Sequence, residues 1–185
     1  MSVIVGSVAL PTGTWSVDPV HSSIEYAVGH NGISLFRGSF PSFAGSIRTE
    51  GGKVVALAGT VDTRSLAPAD PNLAAHLQGE DFFAVDRFPE ARFVASSVVE
   101  DEGRLEVVGD LTIREITLPA VLSGTRSPAV LDAYGNTRTA FELRGTIDRT
   151  AFGIDWNAEL ADGGRVVSHE VTIELHVEAV LGDAS

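Results

Sequence analysis

Apolar and polar residues alternate most regularly near the C-terminus, where Val171, Ile173, Leu175, Val177 and Ala179 interleave with Glu170, Thr172, Glu174, His176 and Glu178. Successive side chains of an extended chain point to opposite faces, so this run predicts a strand with one apolar and one solvated face. The same period of two recurs at Ile24, Tyr26 and Val28, at Leu105, Val107, Gly109, Leu111 and Ile113, and at Phe141, Leu143, Gly145 and Ile147. Half-buried antiparallel strands carry this signature. Turn sequences at Glu50-Gly51-Gly52, Asp101-Glu102-Gly103, Tyr134-Gly135-Asn136 and Asp162-Gly163-Gly164 separate the runs, as expected between hairpin strands. Gly38, Gly45, Gly59, Gly109 and Gly145 fall on apolar faces, where a strongly bent sheet drops side chains or inserts bulges.

The period breaks between Pro68 and Gly79. Asp70 can cap a helix that has Pro71 at its first position, Leu73, Ala74 and Leu77 on one side, and Gly79 as its stop. A short helix around residues 70–79 is therefore expected in the long connection between a strand ending near Thr63 and one starting near Ala91. The fold class that follows is all-β: about eight antiparallel strands closed into a barrel, whose interior is either filled by side chains or holds one ligand.

Phenylalanine bears directly on that choice. Seven of the nine fall in two segments, Phe36, Phe40 and Phe43 in one and Phe82, Phe83, Phe88 and Phe93 in the other. Each can bury a large apolar area, so such clusters either fill a thick patch of core or line an apolar hole. Phe82 and Phe83 are adjacent, and in an extended segment they would point opposite ways.

The 185 residues fit one domain, with 1–12 as an N-terminal extension. A formal net charge of −12, with the basic residues scattered singly, disfavours nucleic acid as a partner and stable insertion into or docking on an anionic membrane. Cysteine is absent, which removes thiolate chemistry and disulfides. Met1 to Leu10 lacks the basic region and apolar run of a signal peptide, so a cytoplasmic location is the expectation.

Catalytic and metal constellations are thin. His21, His30, His76, His169 and His176 show no short spacing that puts two on one face of a strand or helix, so no metal site is expected. Ser22 beside His21 lacks a nucleophile elbow, and the acidic residues Glu80, Asp81 and Asp86 read as helix-end and loop charges. No catalytic residue and no cofactor are assigned.

Taken in order, several segments resemble the YceI-like family of lipocalin-like barrels that bind polyisoprenoid lipids. They are Gly13-Thr14-Trp15, Asp18-Pro19, His21-Ser22, His30, Gly32, Ser34, Arg37-Gly38, Phe40, Phe43 and Gly45, then His76-Leu77, Asp81-Phe82-Phe83, Phe88-Pro89, Gly109-Asp110-Leu111-Thr112-Ile113, Asp148-Arg149 and Phe152-Gly153-Ile154. The resemblance implies an eight-stranded antiparallel lipocalin-like barrel, often a homodimer, whose apolar pore holds an isoprenoid or other long-chain lipid without catalysis. The helix sequence Ala74-Ala75-His76-Leu77-Gln78 departs from the family pattern, in which an Arg-Asp pair precedes the His. Glu115 and Leu118 stand where a Gly and a basic residue are usual.

The expected function is binding, transport or storage of a long-chain hydrophobic small molecule, with a polyisoprenoid lipid or isoprenoid quinone precursor as the expected ligand. The alternatives are an enzyme acting on a lipid or small hydrophobe, and a plugged structural or interaction barrel. Expected tail contacts are Ile24, Tyr26 and Val28; Phe36, Phe40 and Phe43; Leu73, Leu77 and Phe82; and Phe93, Phe141, Leu143 and Trp156. His21, Arg37 and His76 are the expected head-group contacts.

Overall fold

The structure, a computed structural model, describes residues 9–66 and 68–182. Residues 1–8 of the expected N-terminal extension lie outside them. The first stave of the barrel is a strand interrupted at residues 18–22, β1 (Gly13–Val17) and β2 (Ser23–His30). The chain returns as a second interrupted stave, β3 (Ser34–Ser39) and β4 (Phe43–Glu50), antiparallel to the first. β5 (Lys53–Asp62) follows, then the long connection with a 3-10 turn at Thr63–Ser65 and helix α1 (Pro71–Gln78). β6 (Glu90–Asp101), β7 (Arg104–Ile113) and β8 (Ile116–Arg126) form a meander. The two-residue β9 (Val130–Leu131) flanks β10 (Thr137–Asp148), and a 3-10 turn at Arg149–Phe152 leads through an irregular segment to β11 (Val167–Leu181).

β11 closes the ring. One edge pairs with β10 from Arg138↔Val180 to Asp148↔Glu170, while the other pairs with β1 near its C-terminal end and with β2 along its N-terminal part. Eight antiparallel staves thus make a closed barrel with one short helix, as the period of two and the helix signals predict. Rows of inward residues run across the strands: Tyr26, Ile173 and Gly145 in one row, Ile24, Leu175 and Leu143 in the next. The helix is set by the expected local chemistry, because the Asp70 carboxylate accepts a hydrogen bond from the Leu73 N–H at 2.8 Å and Pro71 occupies the first turn, where its missing N–H costs nothing.

One end of the barrel is solid. Trp15, Val107 and Ala179 are fully buried there, with Leu10, Ile47, Val54, Leu105 and Phe141 packed around them. The Trp15 indole N–H donates to Thr49 Oγ1 at 2.8 Å, and that hydroxyl donates to the Pro11 carbonyl at 2.6 Å. The buried ring therefore carries no unmet donor.

At the same end the β5–β6 ladder covers only Ala58–Asp62, and the Glu100 carboxylate takes over as acceptor for the Val54 N–H at 3.0 Å. Its other oxygen receives Arg126 Nε at 2.7 Å and Nη2 at 2.6 Å. Both side chains are almost wholly buried, at 2% and 3% exposure for Arg126 and Glu100. A second apolar cluster lies at the opposite end, where Leu66, Leu77, Phe82, Phe152 and Ile154 cover the strand ends.

Candidate functional site

An apolar cavity of about 610 Å³ occupies the barrel between the plugged end and the irregular segments at the other end. At its inner limit the lining residues Ile47, Leu122 and Phe141 also belong to the packed end and are 5% exposed or less. At its outer limit the lining includes His30, Ser34 and Leu35, which are exposed on the β2–β3 hairpin. The cavity is blind at one end and reaches the surface at the other.

Ile24, Tyr26 and Val28 reach the cavity from β2, Phe36 from β3, Phe43 from β4 and Phe93 from β6. Phe141 and Leu143 reach it from β10, Leu73 and Leu77 from α1, and Phe40, Phe82 and Trp156 from irregular chain. Phe83 lines it as well. Adjacent Phe82 and Phe83 share one task because residues 80–83 form a turn and not the extended segment on which opposite directions would rest. Phe88 stays outside, between the guanidinium groups of Arg87 and Arg114 at 4.9 and 5.6 Å from its ring centre. Ile147, Ile173 and Leu175 complete the wall from the dry faces of β10 and β11. Their alternation marked them as inward, and only the closed ring turns an inward face into a cavity wall.

Aromatic rings organise the wall into two groups. Tyr26 packs against Phe36 and Phe40, with centroids 6.3 and 5.6 Å apart, and Phe40 meets Phe83 edge-on at 5.5 Å. The Tyr26 ring lies across Gly38 on the neighbouring strand, where any side chain would collide with it. Its hydroxyl is buried without a hydrogen-bond partner, and burial pushes its pKa up to about 12. Nearer the mouth, His76 stands edge-on to both Phe82 and Trp156, at 5.0 and 4.7 Å. Through these rings α1 and the segment before β11 meet over part of the opening.

The polar groups divide between the cavity and the outer surface. His76 lines the cavity, is 37% exposed, and places Nε2 3.1 Å from Asp81 Oδ2. His21 and Arg37 do not line it. The His21 ring sits 2.9 Å from Asp18 on the outer surface, and Arg37 faces Glu174 at 3.5 Å. Ser22 is tied to Glu178, donating to its carbonyl and accepting from its N–H, so the adjacent Ser and His form no nucleophile–base pair.

Asp18, His21 and Glu178 lie close enough together to suggest a cation site, but Arg138 supplies the positive charge. Its Nη1 reaches Asp18 at 2.8 Å and Glu178 at 2.7 Å, and its Nε reaches Asp132 at 2.6 Å. Hydrogen bonds from Arg138 and neighbouring groups hold the Asp18 carboxyl well below the usual range.

Arg149, on the cavity lining and only 5% exposed, is a site residue that the strand pattern does not single out. Its guanidinium donates to the carbonyls of Ser168 (2.8 Å), Ile154 (2.7 Å), Trp156 (3.0 Å) and Val167 (3.3 Å). Burial lowers its pKa from the ordinary arginine value. These bonds fasten the segment carrying Trp156 to the start of β11, and so fix one side of the mouth.

A closed antiparallel barrel, solid at one end and hollow with an apolar wall at the other, is the architecture of a lipocalin-like barrel. The chain belongs to the YceI-like domain family, whose match spans residues 15–179. Among similar proteins, a UPF0312 protein of Vibrio cholerae strain M66-2 is 32% identical over 163 residues, covering 86% of this chain and 82% of that protein. A UPF0312 protein of Pseudomonas putida strain W619 is 29% identical over 163 residues, covering 86% and 81%.

Two solved structures share the fold. The crystal structure of Burkholderia cenocepacia BcnA superposes with a TM-score of 0.74 at 22% identity, over 88% of this chain and 98% of that one. A polyisoprenoid binding domain from Saccharophagus degradans gives 0.64 at 12% identity, over 93% and 100%. Among the described residues, no helix is long and apolar enough to cross a membrane.

Proposed function

We propose that this barrel binds one long-chain hydrophobic molecule, an isoprenoid lipid or a similar alkyl compound, and carries or stores it without chemical change. The observation that carries the reading is the blind cavity of about 610 Å³, walled almost entirely by aliphatic and aromatic side chains. Such a cavity falls in the usual range for small-molecule sites. A tail supplies its affinity through apolar burial, at roughly 0.8 kcal/mol for each methylene removed from water before ordering costs are subtracted.

His76, partly exposed at the mouth and beside Asp81, is the residue we assign to a polar head. His21 and Arg37, which face acidic partners outside the lining, have no part in this assignment. The polyisoprenoid-binding name of the Saccharophagus relative supports an isoprenoid as the ligand class.

The two tryptophans provide the test. Trp156 lines the cavity, whereas Trp15 is sealed in the plugged end and does not. Titration with geranylgeraniol should change the protein's fluorescence in a saturable manner. The change should persist in Trp15→Phe and disappear in Trp156→Phe. A titration without saturation, or a signal that survives the loss of Trp156, would count against the site.

A further inference from the structure

The β2–β3 hairpin stands at the mouth of the cavity with an apolar tip. Asn31 and Gly32, at φ of 53° and 69°, form its turn, which the Ile33 N–H closes by donating to the His30 carbonyl at 3.2 Å. The Asn31 N–H donates to the Val166 carbonyl at 2.7 Å and so ties the tip to the segment before β11. From the cavity outwards, Phe36 and Leu35 line the wall, Leu35 is 60% exposed, and Ile33, beyond the lining, is 87% exposed. A single exposed apolar side chain is ordinary, but these continue the apolar wall of the cavity to the outside.

Charge sets the tip apart. The chain carries 25 acidic residues, yet none lies between Glu25 and Glu50, the stretch that holds the tip and β3. Another exposed apolar loop, with Val130, Leu131 and Tyr134, has Asp132 in its midst and is tied by Arg138 to Asp18 and Glu178. We infer that Ile33 and Leu35 dock the mouth on the surface of an electrically neutral lipid bilayer, so that a tail passes between bilayer and cavity without crossing water. The inference rests on the hydrophobic-ligand reading above and adds to it the surface from which the ligand comes. Two side chains bury less than a single acyl anchor, which itself binds only marginally, so the contact is brief. Exposed Glu159 and Asp162, on the turn that leads to Val166, oppose an anionic surface.

The absence of cysteine gives the experiment one reporter position at a time. Ile33→Cys carrying the environment-sensitive dye NBD should brighten and shift to shorter wavelength with phosphatidylcholine vesicles. Tyr134→Cys, labelled in the same way, should not respond, because that exposed loop precedes β10, whose first pairs lie beside the plugged end. Partial replacement of phosphatidylcholine by phosphatidylglycerol should weaken the response at Ile33. No response at Ile33, an equal response at both positions, or a stronger response to phosphatidylglycerol that salt abolishes would overturn the docking. So would a dye signal at Ile33 that rises with protein concentration in the absence of vesicles, which would place a second copy of the chain on the tip. These readings need no ligand and therefore stand apart from the reading of the cavity.

Ile33→Asp should slow the transfer of geranylgeraniol from phosphatidylcholine vesicles by about tenfold or more. Its affinity for the same prenol delivered from cyclodextrin should stay within about twofold of the wild type, because Ile33 lies outside the lining. Transfer as fast as in the wild type overturns docking as the loading route. Failure of both proteins to take up the prenol from cyclodextrin overturns the cavity reading instead.

Discussion

Phe43→Lys should weaken binding of a four-unit prenol by at least about a hundredfold, equivalent to roughly 2.7 kcal/mol, while leaving the barrel folded. Phe43 lines the cavity but belongs to neither of the packed clusters, so its loss removes ligand contacts more than core contacts. An ammonium group in that wall must either keep water with it or give up its proton, and both alternatives oppose an apolar tail. Phe43→Leu keeps the surface apolar and should bind within a few-fold of the wild type. Isothermal titration with the prenol, alongside circular dichroism, separates the two effects. If Phe43→Lys retains wild-type affinity, the tail does not occupy this part of the barrel.

Arg126→Ala should lower stability by about 3–5 kcal/mol, one of the largest losses available to a single substitution outside the cavity. The cause is the carboxylate left behind: Glu100 is 3% exposed, and its hydrogen bonds from Arg126 Nε and Nη2 vanish together. Glu100→Gln should cost less than Arg126→Ala, because an amide oxygen can still accept from the Val54 N–H, whose ladder partner the carboxylate replaces. For a chain of this size the Arg126→Ala loss corresponds to a melting point lower by roughly 6–20 °C, measurable by calorimetry. A shift of a degree or two would mean that water reaches Glu100.

The strands were legible because alternation is a local property, and glycines on their apolar faces pointed to a strongly curled sheet. The dry face of β11 is written in Val171, Ile173, Leu175 and Val177, and the capping chemistry of α1 in Asp70, Pro71 and Gly79. The long-range arrangements were not legible. Nothing local tells that Trp15, from the first strand, plugs one end, so the choice between core and cavity had no single answer: one part of the barrel is packed and another is hollow.

The direction of Phe83 depended on a turn at residues 80–83 that its neighbours do not announce. His21 and Arg37 sit in segments characteristic of the family, yet their closest partners are Asp18 and Glu174 on the outer surface. Arg149 stands in the sequence only as half of the family segment Asp148-Arg149, with no role attached, and its role emerges only when four carbonyls from two segments converge on it.

Ligand occupancy tests the central claim most directly. Protein purified from its own host without detergent, examined by native mass spectrometry and then by lipid extraction, should carry one long-chain hydrophobic molecule per chain. Phe43→Lys prepared in the same way should be empty. Wild-type protein that is empty on isolation and takes up neither prenols nor quinones would contradict the account.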